Sequence, residues 1–258
     1  MLLNKDNYYS LDANREYWSA SQVKDFLDCE ARALAAVRGE YQREMTTALT
    51  VGSYVDAFVE GPSSFQTFCA EHPEIFKRDG SLKADYIKAD EMLARMNRDA
   101  VFMDYLTGER QTIMTGEVLG FPFKAKFDIY VPGKRIVDLK TVKDLNPVYV
   151  PGEGRVAYYD AWNWPLQLAI YQALEGNRLP CYLAVITKED PPDLDLVEIP
   201  QWKLDAEIEY LKQRLPYLDA VKHGIIEPAH CNSCAYCRAT KVIKEPRTID
   251  RLDLEEEV

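Results

Sequence analysis

The sequence lacks several features that would place the protein in a membrane or secretory class. No run of about 18 uninterrupted apolar residues occurs in its 258 residues, so no membrane-spanning segment is predicted. Residues 1–10 contain no basic flank followed by an apolar stretch, which is the pattern of a secretory signal peptide. We therefore expect a cytoplasmic protein without a membrane partner.

The sequence also lacks two motifs on which large enzyme classes depend. It contains neither G-x-S-x-G, which carries the nucleophilic serine of many hydrolases, nor the phosphate-binding loop G-x4-G-K-[ST]. Its three histidines are His72, His223 and His230, and none is close in sequence to residues 124–143. Serine hydrolase and P-loop chemistry are therefore not expected.

Charge is distributed unevenly along the chain. The net charge of −11 argues against a surface that binds nucleic acid broadly, and an apolar content of 47% excludes disorder. Residues 124–143 nevertheless contain six basic and two acidic side chains, whereas residues 250–257 contain five acidic side chains and one arginine. A nucleic-acid site is therefore expected to be local, and the acidic end is typical of a solvated tail.

Two stretches, residues 124–131 and 135–139, are predicted to form neighbouring strands joined by a proline-glycine turn. Apolar and polar residues alternate along the first stretch with the period of two that is typical of a strand. Asp128 and Asp138 then lie on adjacent strands, and Lys140 lies on the same face as Asp138. This arrangement favours a Mg²⁺ or Mn²⁺ site that acts on phosphate, although a charged surface hairpin gives the same pattern.

The remaining periodicity predicts helices on both sides of these strands. The predicted helices cover residues 19–37 (including Cys29), 46–60, 63–70, 83–106, 166–174 and 202–221. Further strands are predicted at residues 111–114, 179–187 and 194–199, and a loop at residues 141–155. Strands and helices mixed in this order favour one α/β domain with a helical N-terminal part.

Four sequence elements occur in a fixed order along the chain. They are Gly52-Ser53-Tyr54-Val55-Asp56, Gly116-Glu117, Asp128-x9-Asp138-Leu139-Lys140 and Gln167-x3-Tyr171. From about Ser19 to Cys237, the chain resembles the PD-(D/E)XK nuclease superfamily. Within it, the chain is most similar to the RecB-like branch, which includes RecE and phage recombination exonucleases (exodeoxyribonuclease VIII-like). The Asp-Leu-Lys triplet alone is weak evidence, whereas the ordered set is more specific.

The resemblance implies roles for particular residues. The implied catalytic residues are Glu117, Asp128, Asp138, Lys140, Gln167 and Tyr171, and the implied Mg²⁺ or Mn²⁺ ligands are Asp56, Glu117, Asp128, Asp138 and the Leu139 carbonyl. Lys140 would orient the attacking water, while Gln167 and Tyr171 would shape the site. Asp56 stands where many relatives carry histidine. An exposed helix residue remains the alternative for Asp56, and a turn residue remains the alternative for Glu117.

Six cysteines in a protein expected to be cytoplasmic favour thiols or metal ligands over disulfides. Cys231, Cys234 and Cys237 have a spacing that occurs in ferredoxin-type [4Fe–4S] ligation. The resemblance supplies Cys29 as a fourth ligand, because some RecB-like nucleases take one cluster cysteine from an early helix. The alternative is zinc, with His230 in place of Cys29. Cys69 and Cys181 are expected to be buried thiols.

The resemblance also implies a fold and a function. The fold is a restriction-endonuclease-like αβββαβ core, in which helices flank a mixed sheet. The expected single domain has a helical part (residues 1–108), a catalytic core (109–222), a cysteine segment (223–240) and an acidic tail (241–258).

The implied activity is Mg²⁺- or Mn²⁺-dependent exonuclease action on linear double-stranded DNA with ends, in phage or prophage recombination. A single-strand annealing protein and further copies of the chain are the implied partners. The alternative is a degenerate nuclease fold that binds DNA or a recombination partner without cutting it.

Overall fold

A mixed five-stranded sheet lies between two layers of helices in the computed structural model, which describes residues 1–243. Each face of the sheet has its own apolar core. This is the α/β architecture predicted from the sequence. The predicted acidic tail lies outside the described residues from residue 244 onward.

The elements follow one another in the predicted order of helices, three strands, a helix and two strands. The helices are α1 (Leu11–Glu16), α2 (Ala20–Asp28), α3 (Glu30–Arg38), α4 (Thr47–Glu60), α5 (Pro62–Glu71), a 3-10 turn (Pro73–Ile75), α6 (Ala84–Asn97), α7 (Ala100–Tyr105), α8 (Tyr158–Ala161), α9 (Trp164–Glu175), α10 (Gln201–Lys222) and α11 (Ala235–Thr240). The strands are β1 (Glu109–Val118), β2 (Phe121–Val131), β3 (Arg135–Val142), β4 (Val148–Val150), β5 (Gly154–Val156), β6 (Cys181–Thr187) and β7 (Leu194–Ile199). Among residues 1–243, no helix combines the length and apolar character needed to cross a membrane.

The sheet has the strand order β1-β2-β3-β6-β7, and only β3 and β6 run parallel. The chain crosses from β3 to β6 through α8 and α9, so α9 packs over the strands that carry the predicted site. Helices α2, α3, α9 and α10 contribute to the core on one face, while α4 to α7 contribute to the core on the other.

The first strand is longer than the predicted residues 111–114. It continues to Val118 and turns directly into β2 through Leu119 and Gly120, whose φ angles are 56° and 82°. Two successive residues with positive φ form the tight turn that matches the twist of a hairpin. Leucine is unusual in such a turn, so no residue pattern predicted a two-residue turn here.

Two predicted helices are each broken into two. The predicted helix at residues 19–37 is interrupted at Cys29, whose backbone is extended (φ −160°, ψ 104°). The predicted helix at residues 83–106 restarts after Asp99, whose side chain caps α7 by accepting a hydrogen bond from the Phe102 N–H. Aspartate is a strong N-cap residue because its carboxylate satisfies a free N–H of the first turn. Cys29 therefore lies between two helices, not within one.

The predicted loop at residues 141–155 is partly ordered into strands. Strand β3 extends through Val142, and residues 148–156 form the small hairpin β4-β5. The hairpin follows β3, the strand that carries Lys140, after a connection of five residues.

Candidate active site

Asp128 and Asp138 lie where β2 and β3 separate. The pairing of these two strands ends at Ile129 opposite Val137. Asp128 is the next residue on β2, and its Oδ2 accepts a hydrogen bond from the Leu139 N–H at 3.0 Å. The Asp128 carboxylate thus provides the acceptor that the Leu139 N–H lacks once the main-chain pairing of β2 and β3 has ended. This contact holds Asp128 beside Asp138.

Asp138 is almost fully buried, with 1% of its surface exposed. Its Oδ1 accepts a hydrogen bond from Gln167 Nε2 at 2.7 Å. Its Oδ2 lies 2.5 Å from Lys140 Nζ, but among the described residues it has no hydrogen-bond partner of acceptable geometry. Lys140 therefore compensates part of the charge of this oxygen, which lacks a hydrogen bond from the described residues and can also serve as a ligand to a cation.

Helix α9 supplies two of the predicted residues to this cluster. Gln167 Nε2 also donates to the Tyr171 hydroxyl at 3.2 Å, and that hydroxyl donates to the Lys126 carbonyl at 3.4 Å. The two side chains face the same way because they are one helical turn apart. The predicted pairing of Gln167 with Tyr171 at the carboxylates is present in the structure.

Lys24 is a member of the cluster that the sequence did not reveal. Its Nζ donates to Gln167 Oε1 at 2.7 Å, and Gln167 in turn donates to Asp138. Lys24 lies on α2 beside the buried Val23 and close to the buried Phe26. A lysine next to the apolar stripe of a helix is the one available signal, and many surface lysines share it.

Asp56 reaches the cluster from α4. That helix approaches the end of β3 closely, since a Cβ at Gly52 would lie 3.3 Å from Thr141 Oγ1. Asp56 follows Gly52 by one helical turn and therefore lies on the same side of α4. Burial raises the pKa of Asp56 to about 6, with Lys140 lowering it and Asp138 raising it.

Burial and neighbouring charges shift the pKa values of Asp128, Lys140 and Lys24. Burial and the charges of Asp138 and Asp56 raise the pKa of Asp128 well above its usual range. Burial lowers the pKa of Lys140, but Asp138 and Asp128 raise it more, so the net shift is upward. Burial and the charge of Lys140 lower the pKa of Lys24 to about 8. Acidic groups held together at such cost are characteristic of functional sites.

Glu117 is not brought to this cluster. It is exposed and pairs with Pro122 beside the β1-β2 turn, whereas Gln111 contacts Asp128 near the other end of β1. Six residues separate Glu117 from Gln111, which corresponds to roughly 20 Å along a strand. The role predicted for Glu117 therefore needs correction, because the hairpin turn carries it away from the carboxylates.

A cavity of about 890 Å³ adjoins the cluster. It is lined by Asp56, Asp128 and Tyr171 and by the N-terminal residues Tyr8 and Tyr9. Asp56 and Asp128 are therefore accessible to a ligand from this cavity, whereas Asp138 is buried behind its lining. Leu139, whose carbonyl oxygen is a predicted metal ligand, lies on β3 between Asp138 and Lys140.

Residues 19–240 match the family described as "PDDEXK-like domain of unknown function (DUF3799)". The chain belongs to this PDDEXK-like family. The fold is also similar to that of a solved protein from Eubacterium rectale named "Putative exonuclease". The two are 37% identical, with a TM-score of 0.93 and coverage of 100% of each chain. No curated protein matches the chain. The family match confirms the predicted superfamily.

The PDDEXK-like chain has a second cluster, formed by four of its cysteines. The Sγ atoms of Cys29, Cys231, Cys234 and Cys237 all lie within 4.8 Å of one another, so they could hold a metal ion. Cys29 and Cys237 are buried, and the other two are half-buried. The structure thus brings Cys29 to the three C-terminal cysteines, as predicted. His230 lies beside this set, with its Nδ1 3.4 Å from Cys237 Sγ.

Main-chain contacts also join the two ends of the PDDEXK-like chain at the cysteines. The Ala31 N–H, in the first turn of α3, donates to the Ala229 carbonyl at 3.1 Å. The Ala229 N–H donates to Glu30 Oε2 at 2.8 Å. Free N–H groups at a helix start need such acceptors. The contact predicted between the first helices and the C-terminal segment is therefore present.

The cysteine sulfurs differ in their environments. A hydrogen bond from Ser233 and the N–H of Cys234 lower the pKa of Cys231 to about 5. Burial raises the pKa of Cys29 to about 12. Cys181 is a buried thiol outside the cluster, as expected, and Cys69 is half-buried instead of buried.

Proposed function

We propose that the protein is a metal-dependent deoxyribonuclease that hydrolyses phosphodiester bonds. The observation that carries this proposal is the convergence of Asp128, Asp138 and Lys140 at the point where β2 and β3 separate. Membership of the PDDEXK-like family supports it. The sequence order and the geometry point to the same residues.

The donor set fits a hard divalent cation. Asp56, Asp128 and Asp138 offer carboxylate oxygens, the ligands that Mg²⁺ and Mn²⁺ prefer, and Asp138 Oδ2 has no hydrogen bond among the described residues. The Leu139 carbonyl is a further proposed ligand. A divalent ion held there would polarise the phosphate and lower the pKa of a water molecule.

The chain's own residues position these groups. Lys140 Nζ, next to Asp138, carries a positive charge that would orient the attacking water and stabilise negative charge on the phosphate oxygens. Gln167 fixes the orientation of the Asp138 carboxylate through its Nε2. Tyr171 and Lys24 hold the two ends of the Gln167 amide, so that only its nitrogen can face Asp138.

We further propose exonuclease action on linear double-stranded DNA, with a role in phage or prophage recombination. The RecB/RecE-like order of motifs supports this assignment, and the name of the Eubacterium rectale protein supports its exonuclease part alone. A single-strand annealing protein and further copies of the chain are the proposed partners. These finer assignments rest on resemblance, whereas the proposed chemistry rests on the site.

The experiment that tests the function compares end-labelled linear DNA with covalently closed circular DNA of the same sequence. We expect the linear DNA to be degraded from its ends with Mg²⁺ or Mn²⁺ and to stay intact with chelator, while the circle survives in all conditions. Cutting of the circle would replace the exonuclease assignment with an endonuclease one. Intact DNA that is retarded on a native gel would favour the non-cleaving binding protein.

Lys24→Met is expected to slow cleavage by about 10- to 100-fold, the range found when a residue that orients a metal-site side chain is removed. Without Lys24, the Gln167 amide loses the donor that sets its direction, and its oxygen can turn toward Asp138. Single-turnover cleavage rates at saturating Mn²⁺ measure the effect. The half-buried Lys24 has an exposed counterpart in Lys212, so Lys212→Met is the matched control.

Lys24→Arg retains a charged donor and should recover most of the activity. A Lys24→Met rate equal to that of the Lys212→Met control would show that Lys24 does not position Gln167.

A further inference from the structure

We propose that the four cysteines hold a single zinc ion in tetrahedral all-thiolate coordination. The Sγ separations are 3.5 Å for Cys29 and Cys237, 3.9 Å for Cys231 and Cys237, and 3.9 Å for Cys29 and Cys234. Four thiolates that share one ion through bonds of ~2.3 Å in a tetrahedron lie ~3.8 Å apart. These three separations are close to that value and the remaining ones do not exceed 4.8 Å, which favours a single-ion site.

These separations do not fit the [4Fe–4S] cluster implied by the family resemblance. In such a cluster each thiolate binds a different iron, and inorganic sulfide lies between the irons. The four thiolates must then surround the whole cube and lie much farther apart than thiolates bound to one ion. The four sulfur atoms, all within 4.8 Å of one another, are closer together than this arrangement requires.

The main chain around the cysteines supports thiolates at this spacing. The Cys234 N–H donates to Cys231 Sγ at 3.3 Å, and the Cys237 N–H donates to Cys234 Sγ at 3.4 Å. Hydrogen bonds from N–H groups stabilise the negative charge that a zinc-bound sulfur carries. Successive turns at both Cys-x2-Cys steps therefore present their sulfur atoms to one point.

His230 lies outside the proposed coordination. Its Nδ1 contacts Cys237 Sγ at 3.4 Å, and Cys29 occupies the fourth position that a His230-based zinc site would need. A ring nitrogen next to a bound sulfur orients the ligand without binding the metal. This assigns His230 a supporting role and Cys29 the ligand role.

The zinc ion would fix the junction between α2 and α3. Cys29 forms that junction in extended conformation, and α2 also carries Lys24, which contacts Gln167 in the active site. A cross-link between residues about 200 apart restricts the unfolded chain strongly. Zinc would therefore stabilise the wall of the active-site cavity that α2 provides, without taking part in cleavage.

The test is metal and sulfide analysis of the full-length protein, produced with both iron and zinc in the medium and purified without oxygen. We expect one zinc per chain, no acid-labile sulfide and a colourless solution. X-ray absorption at the zinc edge should show four sulfur neighbours at about 2.3 Å. Brown protein with iron and sulfide in equal amounts, or a single iron per chain, would overturn the zinc assignment.

Variants distinguish the proposed zinc ligands from the side chains next to them. Cys29→Ser should lose more than nine-tenths of the zinc, whereas His230→Ala and the half-buried Cys69→Ser should retain it. Zinc retained by Cys29→Ser and lost by His230→Ala would overturn the all-cysteine site. Should Cys29→Ser fail to fold, absorption data from the wild-type protein still decide, because one nitrogen among the zinc neighbours would contradict the proposal.

Discussion

Lys140→Met is expected to reduce DNA cleavage by about 10²- to 10³-fold, the loss found when one preorganised group that stabilises transition-state charge is removed. Methionine preserves the length of the side chain but not its charge. Lys140 Nζ lies 2.5 Å from Asp138 Oδ2, so its loss removes a cation that competes with a metal ion for this oxygen. Mn²⁺ binding, measured by calorimetry, should therefore be retained or strengthened while single-turnover cleavage fails.

The matched control is Lys143→Met, because Lys143 is almost fully exposed at 95% and lies only three residues away. This control should cleave DNA at the wild-type rate. Lys140→Arg keeps the charge, and we expect it to recover part of the activity. Near-normal cleavage by Lys140→Met would show that the active site has been assigned to the wrong residues.

Asp128→Asn is expected to abolish cleavage and, with chelator present, to stabilise the fold by about 1 kcal/mol, a common gain when a functional charge is removed. Folding raises the pKa of Asp128, so the folded chain binds its proton more tightly than the unfolded chain. Ionisation at pH 7 therefore works against folding. Asparagine can still accept the hydrogen bond from the Leu139 N–H.

Chemical denaturation between pH 4 and pH 8 measures this effect. The stability difference between Asp128→Asn and wild type should shrink as pH falls, because Asp128 becomes protonated in both states. Asp144→Asn is the control, and we expect it to lower the stability at pH 7 instead of raising it. The reason is that hydrogen bonds from Asn146 lower the pKa of Asp144. An Asp128→Asn protein that is less stable than wild type at pH 7 would contradict the described electrostatics.

Local patterns were sufficient to predict most of the fold and the centre of the site. Alternating residues located β2 and β3, and the order of strands and helices predicted an α/β domain, while the resemblance implied the mixed sheet flanked by helices. Asp128, Asp138 and Lys140 were predictable because strand period and a short turn fix which side chains meet. The spacing of Gln167 and Tyr171 predicted that they face the same way, whereas their place at the site was implied by the resemblance.

Other features depend on contacts that no local pattern encodes. Glu117 looked like a site residue until the two-residue turn at Leu119 and Gly120 placed it at the far end of β1. The helix break at Cys29 lies where the C-terminal segment, about 200 residues later, packs against the start of α3. Lys24 joins the site only because α2 packs beside α9.

The proposed divalent-metal site is formed by the carboxylates of β2 and β3 next to Lys140. The most direct measurement is anomalous X-ray diffraction from crystals soaked in Mn²⁺. We predict an anomalous peak at about 2.0–2.3 Å from carboxylate oxygens of both Asp128 and Asp138, a distance typical of such cations. No peak at this position, with Mn²⁺ bound only at exposed carboxylates elsewhere, would contradict the account.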